Sequence, residues 1–168
     1  GIMQHVGTKL IGVNNTVKNS EFSWSASQGV WIGNNGVVQN NLFHHIGYDG
    51  MWGCPVAFWG NDNIDNIKVL NNTAYTMGRG FVDNGTTRSA SGGGGHIVRS
   101  TNHEVAYNNV SDWGKLNQDG AAWYSAGFCN LAGLRIHHNW FFDFVSFRPP
   151  NGTLTDGIMA AVYFDMGS

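Results

Sequence analysis

A four-residue motif recurs five times along the chain and constrains its fold more than any other feature. Each copy has an apolar residue, any residue, Asn or His, and then Asn or Ser, and the third positions are 21, 31, 37 and 30 residues apart. Repeats of about 20–40 residues are typical of solenoid proteins, in which each repeat packs on its neighbours. The copies occupy residues 17–20, 38–41, 69–72, 106–109 and 136–139.

After each copy of the motif the sequence passes through a turn, and a second short apolar run follows. These runs are rich in Val, Ile, Trp, Tyr and Phe and are bounded by Gly and Asn, which indicates short strands separated by turns. No window of the sequence keeps a helical period of 3.6 residues, so we expect no long helix. The runs occupy residues 29–32, 50–52, 80–82, 120–124 and 160–164.

The two repeating features together predict an all-β fold, a right-handed parallel β-helix of about five rungs. We expect one domain over residues 1–168, truncated at both ends from a longer helix, because the chain starts without Met and ends in a predicted strand. A β-sandwich or an antiparallel barrel would also have short strands. Neither alternative explains why Asn recurs at one place after an apolar residue.

The recurring Asn predicts a ladder of stacked side chains at one corner of the β-helix. Each side-chain amide would bond to the next, and Asn tolerates the left-handed backbone that a corner needs. The predicted column contains Asn19, Asn40, Asn71, Asn108 and His138.

The composition excludes several classes of protein. Only 12% of the residues are charged and the net charge is −2, so the chain lacks the basic surface of a nucleic-acid-binding protein. No apolar run approaches the ~18–20 residues of a membrane span. Cys54 and Cys129 fall two rungs apart, which predicts that they are not bonded to each other.

Several segments resemble the right-handed parallel β-helix family with pectate-lyase-like repeats. The segments 106–112, 118–124, 135–140 and 162–165, with the related 44–50, are similar more narrowly to large bacterial β-helix glycoside hydrolases. The resemblance implies a secreted or cell-surface protein that binds a polysaccharide. Because one fold serves many activities, the chemistry must be argued from particular residues.

Carboxylates are the leading candidates for catalysis. Glycoside hydrolysis needs two of them, one protonated and one ionised, and close carboxylates on stacked strands perturb each other in this way. We predict Asp119 as the acid and Asp165 as its partner, with Asp156 as the alternative partner. The residues just before the second strand form a further predicted column, which contains Gln28, Asp49, Arg79, Asp119 and Asp156.

Other polar and aromatic residues are predicted to contact the substrate. Sugars stack on aromatic rings and accept polar contacts from imidazole and charged groups. The predicted set contains Asp49, His44, His137, Arg79, Trp123 and Tyr163. We predict no metal site at His44–His45 or His137–His138, because neighbouring side chains on a strand point in opposite directions.

Three functions are compatible with these residues. A glycoside hydrolase without a cofactor is the leading hypothesis. The second is a polysaccharide lyase, in which Asp49 and Asp119 would hold Ca²⁺ and arginines would neutralise a uronate. The third is a non-catalytic adhesive or structural protein whose open strand edges associate end to end.

Overall fold

The computed structural model describes residues 6–49, 52–59, 63–85, 98–117, 119–126, 129–145 and 159–165. All regular secondary structure in these residues is β-strand. The strands are β1 (Val6–Leu10), β2 (Thr16–Lys18), β3 (Glu21–Ser25), β4 (Gln28–Ile32), β5 (Val37–Gln39), β6 (Leu42–Ile46), β7 (Val56–Trp59), β8 (Ile64–Asp65), β9 (Lys68–Leu70), β10 (Thr73–Met77), β11 (Val82–Gly85), β12 (Val98–Thr101), β13 (Glu104–Ala106), β14 (Asn109–Ser111), β15 (Gly120–Ala126), β16 (Cys129–Asn130), β17 (Arg135–His137), β18 (Trp140–Phe142) and β19 (Met159–Phe164).

The strands form four sheets, and every pairing in the described residues is parallel. The largest sheet has the order β1-β4-β7-β11-β15-β19, and two five-stranded sheets have the orders β17-β13-β9-β5-β2 and β18-β14-β10-β6-β3. The fourth sheet has the order β16-β12-β8. The prediction of an all-β fold with parallel strands is confirmed, and the antiparallel alternative is wrong.

The chain visits the sheets in a repeating order. It runs from β4 to β5 and β6, and then returns to the first sheet as β7, which lies beside β4. It then passes from β7 through β8, β9 and β10 before returning as β11. This order is compatible with a parallel β-helix, and it places residues of similar sequence position in columns across each sheet.

Apolar residues at one register of each sheet form the core. On the five-stranded sheet that contains β2, the column is Val17, Val38, Val69, Val105 and Ile136. The first four are buried, and Ile136 packs against them. Because burying a Val side chain stabilises a fold by about 1.5–3 kcal/mol, this column fixes the register of the sheet.

A buried ladder of Asn side chains lies three residues after the core column. Asn41 Nδ2 donates to Asn72 Oδ1 at 3.0 Å, Asn72 Nδ2 donates to Asn108 Oδ1 at 3.0 Å, and Asn108 Nδ2 donates to Asn139 Oδ1 at 2.9 Å. Each amide also bonds to backbone, as when Asn72 Nδ2 donates to the carbonyl oxygen of Val38 at 3.0 Å. The ladder therefore satisfies the polar groups of the turn inside the protein.

The predicted Asn column was wrong at Asn108. The exposed corner column consists of Asn19, Asn40, Asn71, Tyr107 and His138, all with a left-handed backbone and φ values of 54°, 54°, 53°, 60° and 53°. Asn108 belongs instead to the buried ladder, one residue later. The reason is that Val105 takes the inward core position, whereas the repeated motif predicted Ala106 in that position.

Two further expectations concern the whole chain. Cys54 and Cys129 are both buried free thiols, so the prediction that they are not bonded to each other is confirmed. Across the residues that the structure describes, there is no helix long and apolar enough to cross a membrane.

Candidate functional site

Polar side chains collect on the six-stranded sheet, around β11, β15 and β19. Asp83 on β11 pairs in register with Tyr124 on β15, and Tyr124 pairs with Tyr163 on β19. The next position on β15, Ser125, accepts the N–H of Asp165 at 2.8 Å. We call this group the carboxylate cluster, and it comprises Trp52, Arg79, Asp83, Asp119, Tyr124, Tyr163 and Asp165.

Arg79 is the centre of the carboxylate cluster, although it is only 1% exposed. Its guanidinium lies between two aromatic rings, with Cζ 4.3 Å from the Trp52 centroid and 4.1 Å from the Tyr124 centroid. Its Nη1 forms an ion pair with Asp83 Oδ2, and its Nε donates to the carbonyl oxygen of Asp119 at 2.6 Å. Arg79 therefore links the segment before β15 to both the buried carboxylate and the aromatic rings.

Glycines allow the backbone around Arg79 to approach β15 closely. A Cβ at Gly80 would overlap the carbonyl oxygen of Ala121, and a Cβ at Gly120 would lie 2.8 Å from Arg79 Cγ. Larger residues at either position would push Arg79 away from the cluster.

Asp83 is buried together with Arg79. Burial raises the pKa of Asp83, the Arg79 guanidinium acts in the opposite direction, and the charge of Asp119 raises it further. Removing either partner of this buried ion pair would leave an uncompensated charge inside the protein. The two side chains therefore hold each other in place beneath Tyr124.

Asp119 is half-buried at the edge of the cluster. Its N–H donates to Asn117 Oδ1 at 2.8 Å, which fixes the turn that precedes β15. Burial raises the pKa of the Asp119 carboxyl, Arg79 lowers it, and the charge of Asp165 raises it. The net direction is upward, which favours the protonated form relative to an ordinary Asp.

Asp165 is held by Tyr124. The Tyr124 hydroxyl donates to Asp165 Oδ2 at 2.8 Å, and the Tyr163 ring lies 5.3 Å from the Tyr124 ring. Burial, with the hydrogen bond to Asp165 as the next cause, raises the pKa of Tyr124 above its usual range, so the hydroxyl remains a donor. Asp165 is therefore oriented as an acceptor within the same cluster that contains Asp119.

The structure brings four of the predicted site residues together and separates the others. Arg79, Asp119, Tyr163 and Asp165 share the carboxylate cluster. Trp123 is fully buried in the core, where its ring lies 5.8 Å from that of Phe58, so it does not face the cluster. Three residues lie elsewhere: His44 on β6, His137 on β17 and Asp49 after β6. Asp156 falls outside the described residues.

The predicted column before the second strand forms only in part. Arg79 and Asp119 are in contact, as the column requires. Gln28 lies inside β4 rather than before it, and its Nε2 donates to the carbonyl oxygen of Trp52 at 3.4 Å. Asp49 aligns with Ala26, whose carbonyl oxygen accepts its N–H at 2.9 Å.

Three members of the cluster lie outside the predicted set, Trp52, Asp83 and Tyr124, and the last two share one signal in the sequence. Both follow a buried apolar residue of their strand, Val82 and Trp123, and the pairing of those two residues sets them side by side. The available signal was therefore the alternation of core and outward residues along the strand.

No three His, Cys, Asp or Glu side chains converge to hold a metal ion in the part of the chain that the structure describes. The carboxylate cluster offers two half-buried carboxylates and aromatic rings, with a buried Arg beneath them. No protein-family model, curated protein or solved structure matches this chain.

Proposed function

We propose that the chain is part of a right-handed parallel β-helix of a carbohydrate-active, extracellular protein, and that it acts as a glycoside hydrolase. The repeating order of parallel strands and the Asn ladder support this assignment of the fold. The carboxylate cluster supports the activity, since glycoside hydrolysis uses two carboxylates with different protonation states.

One observation carries the proposal: Arg79 and Tyr124 connect Asp119 and Asp165 within one cluster. Arg79 bonds to the backbone of Asp119 and packs on the Tyr124 ring, and the Tyr124 hydroxyl bonds to Asp165. Asp165 also raises the pKa of Asp119 through its charge, after the larger effects of burial and Arg79.

The two carboxylates then take different roles. Asp119, with its raised pKa, donates a proton to the glycosidic oxygen as the bond to the leaving sugar breaks. Asp165 acts on the other side of the sugar, either attacking the anomeric carbon or taking a proton from the attacking water. Arg79 is a positioning residue, because its contacts are with Asp83, Asp119 and the rings.

The aromatic residues of the cluster suit a sugar substrate. Trp52 and Tyr163 are half-buried, so part of each ring remains accessible. Exposed ring faces bind the C–H faces of sugars, and the neighbouring carboxylates bind the hydroxyls.

A lyase is a weaker candidate because of the position of Arg79. A lyase would need a cation that reaches a uronate, but this guanidinium is enclosed by Trp52, Tyr124 and Asp83. The Ca²⁺ site that a lyase would place at Asp49 and Asp119 stays a prediction, as does the non-catalytic alternative with end-to-end association.

The test is a reducing-end assay of the protein against neutral glycans (dextran, xylan) and uronates (polygalacturonate, alginate). New reducing ends without absorbance from unsaturated uronates would support a hydrolase. Asp119→Asn and Asp165→Asn should each lower the rate at least 100-fold, the lower end of what general acid–base catalysis contributes. Asp143→Asn is the matched control, since Asp143 is an exposed carboxylate that follows β18 on another sheet.

Two results would overturn the proposal. One is full activity in either cluster variant while Asp143→Asn behaves as the unaltered protein. The other is formation of unsaturated products, which would establish a lyase. Circular dichroism of each variant separates loss of chemistry from loss of fold.

A further inference from the structure

Two pairs of adjacent histidines on the surface share one arrangement. In the first pair, His44 Nδ1 and His45 Nδ1 are 2.9 Å apart, and His44 Nε2 is 2.9 Å from Glu21 Oε1. The Trp24 ring stacks on the His45 ring with a centroid distance of 4.0 Å. Glu21 and Trp24 come from β3, and the two histidines come from β6, which pairs with β3 in parallel.

The second pair repeats the first on a different sheet. His137 Nδ1 and His138 Nδ1 are 2.8 Å apart, and His137 Nε2 is 3.2 Å from Glu104 Oε1. The Tyr107 ring stacks on the His138 ring at 5.0 Å. In both pairs the Glu lies on the preceding strand, two residues before the register partner of the first histidine.

The backbone explains why adjacent histidines meet. The sequence analysis expected neighbouring side chains to point in opposite directions, as on a regular strand. The second histidine of each pair instead has a left-handed backbone, with φ of 55° at His45 and 53° at His138. This conformation turns its ring towards the ring of the preceding histidine, so the expectation of divergent side chains was wrong.

The carboxylates fix which nitrogen carries the lone pair. A neutral imidazole has one N–H, and the carboxylate of Glu21 accepts it from His44 Nε2. His44 Nδ1 is then an acceptor that faces His45 Nδ1. The same reasoning applies to His137 with Glu104. An imidazole that donates one N–H to a carboxylate is the usual arrangement of a histidine that binds a metal ion.

We propose that each histidine pair chelates one Cu²⁺ ion through its two Nδ1 atoms. Nitrogen ligands about 2.0–2.1 Å from a metal and at right angles are about 2.8–3.0 Å apart, whereas tetrahedral ligands are about 3.3–3.4 Å apart. The observed separations of 2.9 and 2.8 Å are those of an N–H···N hydrogen bond and also match right-angled ligands, so a rotation of the two rings would aim both lone pairs at one Cu²⁺ ion. Water or substrate oxygens complete the coordination.

The second histidine of each pair lines a surface groove, and the first is partly covered, with His44 and His137 side chains 14% and 32% exposed. His45 lines its groove together with Trp24 and Tyr48. His138 lines the other groove with Tyr107 and Trp140.

Chelation needs no net change in protonation at neutral pH. In the metal-free pair, one Nδ1–H donates to the other Nδ1. When Cu²⁺ binds, that proton leaves Nδ1 and Nε2 of the same ring takes up a proton from water, so both imidazoles stay neutral. Acid weakens binding because protons compete for the same lone pairs.

Each histidine pair has a cation paired with a carboxylate close to it. Glu104 also accepts Arg135 Nη2 at 3.2 Å, which places a positive charge beside the second pair. Lys115 lines the groove beside His45, where its Nζ forms an ion pair with Asp112 Oδ1 at 2.6 Å. A nearby cation disfavours a bound metal ion, and a nearby carboxylate favours it.

The experiment is a titration of the protein with CuSO₄, followed by calorimetry and by electron paramagnetic resonance. We expect two ions per chain and a nitrogen hyperfine pattern. His44→Gln and His137→Gln should each remove one ion, and the double variant should remove both. Copper should quench tryptophan fluorescence, and His44→Gln should remove the part that comes from Trp24, which stacks on His45.

The carboxylates provide a second readout that does not remove a ligand. Glu21→Gln should weaken the first site by about 10–100-fold, as for other carboxylates that orient metal-binding histidines. Asp143→Asn removes an exposed carboxylate that belongs to neither histidine pair, so it should leave the Cu²⁺ affinity of both sites unchanged. The proposal is overturned if the unaltered protein shows no nitrogen hyperfine pattern, or if the double variant binds Cu²⁺ as the unaltered protein does.

Discussion

Replacing Asn72 with Leu, which has nearly the same shape, isolates the contribution of the buried Asn ladder. The Asn72 side chain accepts the N–H of Asn41 at 2.9 Å and Asn41 Nδ2 at 3.0 Å. It also donates from Nδ2 to the carbonyl oxygen of Val38 and to Asn108 Oδ1. Asn72→Leu removes all four bonds while the backbone N–H of residue 72 can still bond to Asn108.

The expected loss of stability follows from the groups that are left without a partner. Asn41 N–H loses its acceptor and Val38 C=O loses this donor, at about 1–3 kcal/mol for each buried group. The lost amide-to-amide bonds add about 1 kcal/mol. Burial of the Leu side chain offsets about 1.5–2 kcal/mol. We therefore expect Asn72→Leu to lower the free energy of unfolding by about 1–5 kcal/mol.

Asn71→Gly is the matched control, one residue away. Asn71 is exposed and has φ of 53°, a conformation that Gly adopts without strain. Its backbone N–H bond to Ala106 does not depend on the side chain. Urea unfolding followed by circular dichroism should show a change below about 0.5 kcal/mol for this variant. The reasoning fails if Asn72→Leu is as stable as the unaltered protein, or if Asn71→Gly is the more destabilised of the two.

Two further predictions concern buried titratable groups. Burial lowers the pKa of His103 from 6.5 to about 4, so its contribution to stability is present above pH 6.5 and is lost as the pH falls to about 4. This loss is about 3 kcal/mol, at ~1.4 kcal/mol per pKa unit. It is measured by comparing the free energies of unfolding of His103→Asn and the unaltered protein at pH 7 and at pH 4. A difference between the two proteins that is the same at both pH values would contradict the prediction. Burial raises the pKa of Cys129 to about 11, and both thiols are buried, so alkylation of Cys54 and Cys129 should require denaturant. Intact mass with and without urea checks this, and rapid labelling of the folded protein would refute it.

The fold was predictable from the sequence because its strongest signal is repeated. Inward apolar residues such as Val38 and Val69 recur with Asn three residues later, and each copy alone would be ambiguous. Repetition alone does not decide, however, which residue of an Asn-Asn pair is exposed at the corner and which belongs to the buried ladder. The segment 106–109 matches the motif, but in the structure Val105 takes the apolar position and Tyr107 takes the third position, where the motif expects Asn or His.

The site was only partly predictable, because some of its contacts depend on how the chain folds over the sheet. Asp119 and Asp165 stand at the ends of apolar runs, where a carboxylate is visible in the sequence. The burial of Arg79 against Tyr124 depends on the close approach of the backbone at Gly80 and Gly120, which no local pattern shows. Trp123 was predicted to face the substrate but lies in the core. Alternation along a strand shows which residues share a face, but the register decides which face is buried.

The left-handed corners connect these observations. In the column of Asn19, Asn40 and Asn71, the residue type suits the backbone, because a short polar side chain lowers the cost of positive φ. Tyr107 and His138 occupy the same column, and Trp24 and His45 occupy a second column near the ends of β3 and β6, all with φ between 53° and 60°. Large rings gain nothing from this backbone, and Trp24 and Tyr107 are also 66% and 54% exposed, so packing in the core does not account for them. The same left-handed backbone recurs along the second column at Thr76, Asp112 and Asp143, so the fold sets the conformation whatever the residue. The four rings are those that build the two histidine pairs, and the same backbone conformation brings the paired imidazole nitrogens within reach of one ion.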